Sequence, residues 1–280
     1  ILDVAAFPEG KAFGAFVDHI EKPLAIWSRP EAEHLTNIGH NSFCGANFIL
    51  GNMALTGRKA RWLFGNVSDQ DFQGRLNTAV KLLGAAKNAG GMNIGLIGEG
   101  IVPKFFDIDI SEADRQAIEK RFNIRFVAVP TQEVVDMAKA YRDEEIADKA
   151  NKFAANFTSV EVPREAVEKL ARFMTAMQEI VKRENLASVA VRCWPELQKI
   201  YGMWPCSILS LLNEEGIPAA CEGDPGGALD MLLASRMADS ASTLMDIIDW
   251  NDQRNRFSIW HCGPTAPSWA AERKTRLMPH

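Results

Sequence analysis

The sequence predicts an α/β protein built from two consecutive Rossmann-like units, each a parallel sheet with helices on both faces. Three observations predict it. Short apolar runs alternate with longer segments of helical periodicity along most of the 280 residues. Several of the apolar runs end in polar, glycine-bounded tips, the way an open parallel sheet presents a site. Hydrophobic residues make up 47% of the chain, enough to bury a core.

Taken in order, residues 24–27 read as a strand stopped by Arg29-Pro30. Residues 39–45 form a polar loop opening a helix that runs to about Leu55, with Ser42 placed to cap it. Residues 61–64 are a strand. Residues 69–87 are a helix with Phe72, Leu76, Ala79, Val80 and Leu83 at helical spacing. Residues 93–98 are a strand running into a glycine loop. Ser111-Glu112-Ala113-Asp114 opens the next helix as a capping box with Asp in the last place. Residues 124–129 are a strand, and a helix starts near Thr131. Residues 141–156 are charged, helical and strand-free, so the predicted domain boundary falls near residue 147. It separates an α/β domain over 1–147, incomplete at its start, from an α/β domain over 148–280 that carries the site. In the second, 163–183 is a long helix, 188–191 a strand, 206–214 a helix and 217–221 a buried strand. A turn rich in glycine and proline follows, then a helix over 228–237.

The formal charge of −5, with no basic tract, argues against nucleic acid and anionic membranes as partners. No run approaches the roughly 18 apolar residues of a membrane span, and no signal-peptide pattern appears. Five cysteines without a C-x-x-C pair suit a reduced, cytoplasmic compartment. The sequence starts at Ile1 and closes on Met278-Pro279-His280, so it reads as an excerpt of a longer protein.

Gly95-Leu96-Ile97-Gly98-Glu99-Gly100 has the wrong spacing for a dinucleotide fingerprint, which argues against a nicotinamide or flavin cofactor. A nucleophilic cysteine needs a nearby base, and the chain has only five histidines. Buried structural thiols are the better reading, with Cys193 and Trp194 at a strand end where they can line a pocket. The sharpest signal is Glu222, Asp246 and His261. The carboxylates are 24 residues apart, the histidine 15 further on, and each follows a strand-like run. Two carboxylates and an imidazole suit a divalent ion such as Mn²⁺. Spacing alone leaves the plainer readings open: solvated loop carboxylates, and an imidazole packed on Trp260.

Cys193-Trp194-Pro195-Glu196-Leu197-Gln198, Ala219-Ala220-Cys221-Glu222-Gly223-Asp224, Asp246 and His261-Cys262-Gly263 together resemble the L-fucose isomerase/L-arabinose isomerase superfamily, and its fucose isomerase-like branch more closely. The resemblance is strong over 188–268 and looser before that. It implies aldose–ketose isomerisation of a small sugar with a divalent cation, usually Mn²⁺, and assembly as a homo-oligomer, trimer or hexamer. Glu222 and Asp246 match the family's two metal-binding carboxylates. His261 matches a metal-binding histidine of the arabinose branch. The further histidine supplied by a C-terminal β-rich domain has no counterpart here, His280 being too near Asp246.

The implied chemistry takes a proton from C2 of the sugar and returns one to C1, with Glu222 and Asp246 as ligands and proton carriers. Trp194, Asn41 and Ser42 are the candidate substrate contacts, residues 39–45 reaching a neighbouring subunit's site. Asp224 is expected to cap the following helix. A two-domain sugar-binding module without catalysis is the alternative from another class, and a degenerate isomerase domain with a structural role is a third.

Overall fold

The computed structural model describes residues 1–8, 16–17, 19–20, 22–31, 39–98, 104–105, 108–109 and 111–279. Glu99, Gly100, His34 and His280 lie outside these. The chain divides into two compact units, Ile1–Asn88 and Ala89–His280.

In the first unit β1 (Leu2–Val4), β2 (Leu24–Ser28) and β3 (Ala60–Phe64) lie side by side in that order, all parallel. Successive strand side chains point to opposite faces. Leu24 and Ile26 therefore meet Ala46, Ile49 and Met53 of α1 (Ser42–Leu55) on one face. Ala25 and Trp27 turn to the other, with Leu63, against Phe72 and Ala79 of α2 (Gln70–Ala89).

The second unit holds β4 (Met92–Ile97), the short antiparallel pair β5 (Lys104–Phe105) and β6 (Ile108–Asp109), β7 (Ile124–Val129), β8 (Ser159–Val160), β9 (Leu186–Val191) and β10 (Ala219–Ala220). Its main sheet runs β10-β9-β4-β7, all parallel. Helices α3 (Glu112–Phe122), α4 (Thr131–Ala140), α5 (Asp143–Ala154), α6 (Arg164–Arg183), α7 (Glu196–Tyr201), α8 (Cys206–Glu214) and α9 (Pro225–Ala238) complete it. Val189, Val191, Ala219 and Cys221 face a large core with α4, α5, α6 and α8. Ala190 and Ala220 face the opposite side, against Ala228, Leu229 and Leu232 of α9. At the centre of the larger core Phe173, Met177 and Ile180 of α6 are fully buried, each worth roughly 1.5–3 kcal/mol of apolar transfer. The α/β class with helices on both sheet faces is thus observed in each unit.

The boundary expected near residue 147 is not where the chain divides. β4 and β7 lie before that point, β9 and β10 after it, and they form one sheet. The charged stretch read as a connection contains α5, whose Ile146, Ala150 and Phe153 are buried in the same core. Its charges sit on the outer face of an amphipathic helix, so polarity there marks a surface and not a linker.

The chain closes with the antiparallel hairpin β11 (Asp246–Asn251) and β12 (Arg256–Trp260), then β13 (Arg276–Leu277), parallel to β8. The hairpin corrects the parallel-sheet expectation for this stretch. No helix among the described residues is long and apolar enough to cross a membrane.

Candidate active site

Two connections diverge in the second unit. From β4 the chain crosses through α3 to β7 on one side, whereas β9, on the other side of β4, leads away to β10. At such a switch point the carboxyl ends of neighbouring strands open a crevice. The backbone there is tightly knitted. Arg192 N donates to Ile97 O at 2.8 Å, and Gly223 N donates to Val191 O at 2.9 Å. A Cβ added to Gly98 would stand 2.8 Å from Arg192 Cβ, so the end of β4 needs glycine to lie this close to β9. The Arg192 guanidinium lies 3.1 Å from the Glu196 carboxylate. Trp194 is 47% exposed at this edge and does not line the cavity described below.

β10 delivers Cys221 and Glu222 to the same edge. Glu222 takes a left-handed backbone conformation, φ 61°, followed by Gly223 at φ 66°. That conformation costs a non-glycine residue roughly 1–2 kcal/mol and turns the chain sharply at the half-buried carboxylate. Asp224 closes the turn, as expected: its carboxylate accepts from Gly227 N at 2.9 Å and caps α9. Asp224→Ala is expected to cost about 0.5–2 kcal/mol in urea denaturation, and Asp224→Asn much less, because the amide oxygen keeps the cap. Equal losses for the two variants would rule out the cap as the cause.

Asp246 does not end an apolar strand; it begins β11, directly opposite Trp260. His261 does end β12, as the sequence suggests. The hairpin therefore brings this carboxylate and imidazole together across one ladder, with His261 Nδ1 3.2 Å from Asp246 Oδ2. The imidazole is only 2% exposed, and neither ring nitrogen makes an aligned hydrogen bond. Thr243 and Thr265 join their hydroxyls at 2.9 Å and close the hairpin base.

Asn213 is a positioning residue that the sequence reading missed. Its side chain, 2% exposed, accepts from Ala219 N at 2.7 Å and donates to the carbonyls of Ala219, at 3.2 Å, and Pro264. It thereby ties the strand carrying Glu222 to the segment just after His261. Ser210 Oγ donates to Thr265 O at 2.6 Å from the same helix.

Four of the five cysteines gather beside these residues. Cys221 donates to Cys193 at 3.4 Å, and Cys206 to Cys262 at 3.9 Å. Accepting that bond holds Cys193 below the ordinary thiol value, while donating it pushes Cys221 up. Burial pushes Cys206 up to about 12. Cys221, His261 and Cys262 are the one group of three or more possible ligands among the described residues whose ligand atoms all lie within 4.8 Å of one another. Glu222 and Asp246 are not in that group. A cavity of about 740 Å³ opens against it, lined by Cys206 and Cys262 with Trp204, Trp260, Lys169 and Met203; neither Glu222 nor Asp246 lines it.

Asn41 and Ser42 belong to the first unit. Ser42 is the first residue of α1 and not its cap. Its hydroxyl accepts from Arg29 N at 2.9 Å and donates to Val4 O, so both capacities are spent on the fold. Asn41 holds the cap position in a left-handed conformation without a side-chain cap. The Glu31 carboxylate accepts from the N–H groups of Gly39, His40 and Asn41, and those bonds, His40 first, hold it below the usual carboxylate range.

No protein-family model matches the chain. It is 31% identical over 267 residues to the sulfoquinovose isomerase of Alkalicoccus urumqiensis, covering 95% of this chain and 59% of that protein. To the sulfoquinovose isomerase of Priestia megaterium it is 25% identical over 265 residues, 94% of this chain and 58% of the relative. A protein of the same name from a Clostridium species is 30% identical over 150 residues, 53% of this chain and 34% of the relative. The chain thus spans less than two thirds of the length of the curated relatives it matches. Through relatives that share one name, the similarity supports a sugar-isomerase family for this chain.

Proposed function

We propose that the protein containing this chain is an aldose–ketose isomerase of the L-fucose/L-arabinose isomerase kind, acting on sulfoquinovose or a closely similar sulfonated aldose. The observation that carries the reading is the similarity to proteins named sulfoquinovose isomerase, which runs over 95% of the chain and includes the whole Glu222–His261 stretch. Glu222 on its strained turn and Asp246 against His261 are the acid–base residues of the proposal.

The donor types suit a divalent cation, although Glu222 and Asp246 lie outside the one converging ligand group among the described residues. Two carboxylates supply hard oxygens, and His261 offers a buried imidazole whose nitrogens lack hydrogen bonds. Glu222 and Asp246, with His261, would hold the ion, Mn²⁺ in this reading. When bound, it supplies Lewis acidity that stabilises negative charge on the sugar oxygens. The chain's own part is proton transfer. One carboxylate takes the proton from C2 and returns a proton to C1, while the hydroxyl proton of O2 passes to O1. Such acid–base help is typically worth about 10²–10⁴-fold. Trp194 offers an aromatic face to the sugar at the crevice. Asn41 and Ser42 belong to the proposal as contacts to a neighbouring subunit's site, although Ser42 has its hydroxyl engaged within its own unit.

A homo-oligomer, trimer or hexamer, belongs to the same proposal. Ile247, Ile248, Trp250, Phe257, Ile259 and Trp260 of the hairpin are each more than half exposed, apolar side chains that a partner surface would cover. The proposed compartment is the cytoplasm, supported by a sequence whose five cysteines include no C-x-x-C pair.

The test uses full-length protein, stripped with chelator and refilled with Mn²⁺, given sulfoquinovose in D₂O. Solvent deuterium at C1 of the ketose is expected. Sugar binding that ignores chelator, without turnover, would favour the sugar-binding module instead.

A further inference from the structure

We propose that Cys221, His261 and Cys262 form a second, thiophilic metal site that takes Zn²⁺ or a similarly soft divalent ion. The residues come from two separate connections: Cys221 directly follows β10, and His261-Cys262 leaves β12. Their ligand atoms lie within 4.8 Å of one another. A tetrahedral zinc site, with bonds of about 2.3 Å to sulfur and 2.0–2.1 Å to nitrogen, sets its donors roughly 3.6–3.8 Å apart, so shifts of about 1 Å or less complete it. An independent observation points to a ligand here. His261 is 2% exposed, yet neither nitrogen makes an aligned hydrogen bond, Nδ1 having only the Asp246 carboxylate 3.2 Å away, an arrangement that coordination would satisfy.

The surroundings suit a thiolate site. Cys206 donates to Cys262, and Cys193 lies 3.4 Å from Cys221, so neighbouring S–H groups can hydrogen-bond both thiolates once formed. Binding converts Cys221 and Cys262 to thiolates, and their two protons go to solvent while His261 stays neutral. The 740 Å³ cavity that Cys206 and Cys262 line is the entry path. Soft sulfur selects zinc over manganese, whereas oxygen ligands such as Glu222 and Asp246 suit manganese. The binding does not depend on the isomerase reading. One consequence does: an ion that claims His261 draws it from Asp246, so zinc should inhibit turnover.

The experiment titrates Cd²⁺ into the reduced, metal-free full-length protein and follows the sulfur-to-cadmium charge-transfer band in the ultraviolet. A band saturating at one ion per chain is expected, removed by Zn²⁺ but not by excess Mn²⁺. Cys262→Ser and His261→Asn should each weaken binding at least about 100-fold, as loss of one of three ligands demands. Cys44→Ser, outside the group, should change nothing. Circular dichroism on each variant separates ligand loss from unfolding, and Cys262 is only partly buried. Absence of the band at one equivalent, or a full band in folded Cys262→Ser, overturns the site. Either result leaves the deuterium test of isomerisation untouched.

Discussion

Asp246→Asn is expected to lower kcat by roughly 10²–10⁴-fold in the full-length, Mn²⁺-loaded protein while leaving the fold intact. Asparagine keeps the shape and one neutral oxygen, but removes the negative charge and the atom that can accept the C2 proton. The side chain is 46% exposed and lies 3.2 Å from the His261 imidazole. Substitution of so exposed a group should stay within about 0.5 kcal/mol, a Tm change of ~2 °C or less. Because proton transfer acts on the transition state, kcat and kcat/KM should fall together. Asp249→Asn, exposed on the same strand, is the control and should be neutral. Turnover of Asp246→Asn within threefold of the parent would remove Asp246 from the proposed machinery.

Asn213→Ala is expected to produce the largest loss of stability, roughly 2–4 kcal/mol. The substitution strips a buried N–H of its acceptor and two carbonyls of their donors. A buried polar group left without a partner costs about 1–3 kcal/mol. At about 2–4 °C per kcal/mol for a chain of this size, Tm should drop by roughly 5–15 °C. The loss should also reach activity through position, since Asn213 links the strand before Glu222 to the segment after His261. Gln178→Ala, which removes an exposed pair with Glu215, provides the comparison and should move Tm by only ~1–2 °C. Equal melting of the two variants would show that the Asn213 bonds carry no net stability.

The elements that sequence located well are those with a strong local period. Phe72 and Ala79, or Val167, Leu170 and Met174, fall on one side of a helix wherever it packs, so their spacing is visible before any contact is known. The Asp224 cap and the glycine turn after Glu222 were legible for the same reason, each being a bond or a dihedral within a few residues. The α5 helix shows where local reading misled. Its charged outer face dominated the composition, and the buried stripe of Ile146, Ala150 and Phe153 gained its meaning only from the sheet beneath.

By itself, then, the sequence determined the α/β class, most strand and helix positions, and the placing of Glu222 and His261 at strand ends. These follow from dihedral preferences and apolar periodicity, which act over a few residues. Tertiary structure alone decided that β4 and β7 share a sheet with β9 and β10, that Asp246 opens an antiparallel hairpin opposite Trp260, and that Asn213 bonds Ala219 and Pro264. It also decided that cysteines at 193, 206, 221 and 262 meet in one cluster. Pairings over such separations depend on which surfaces bury each other once the chain collapses, and no local spacing encodes that.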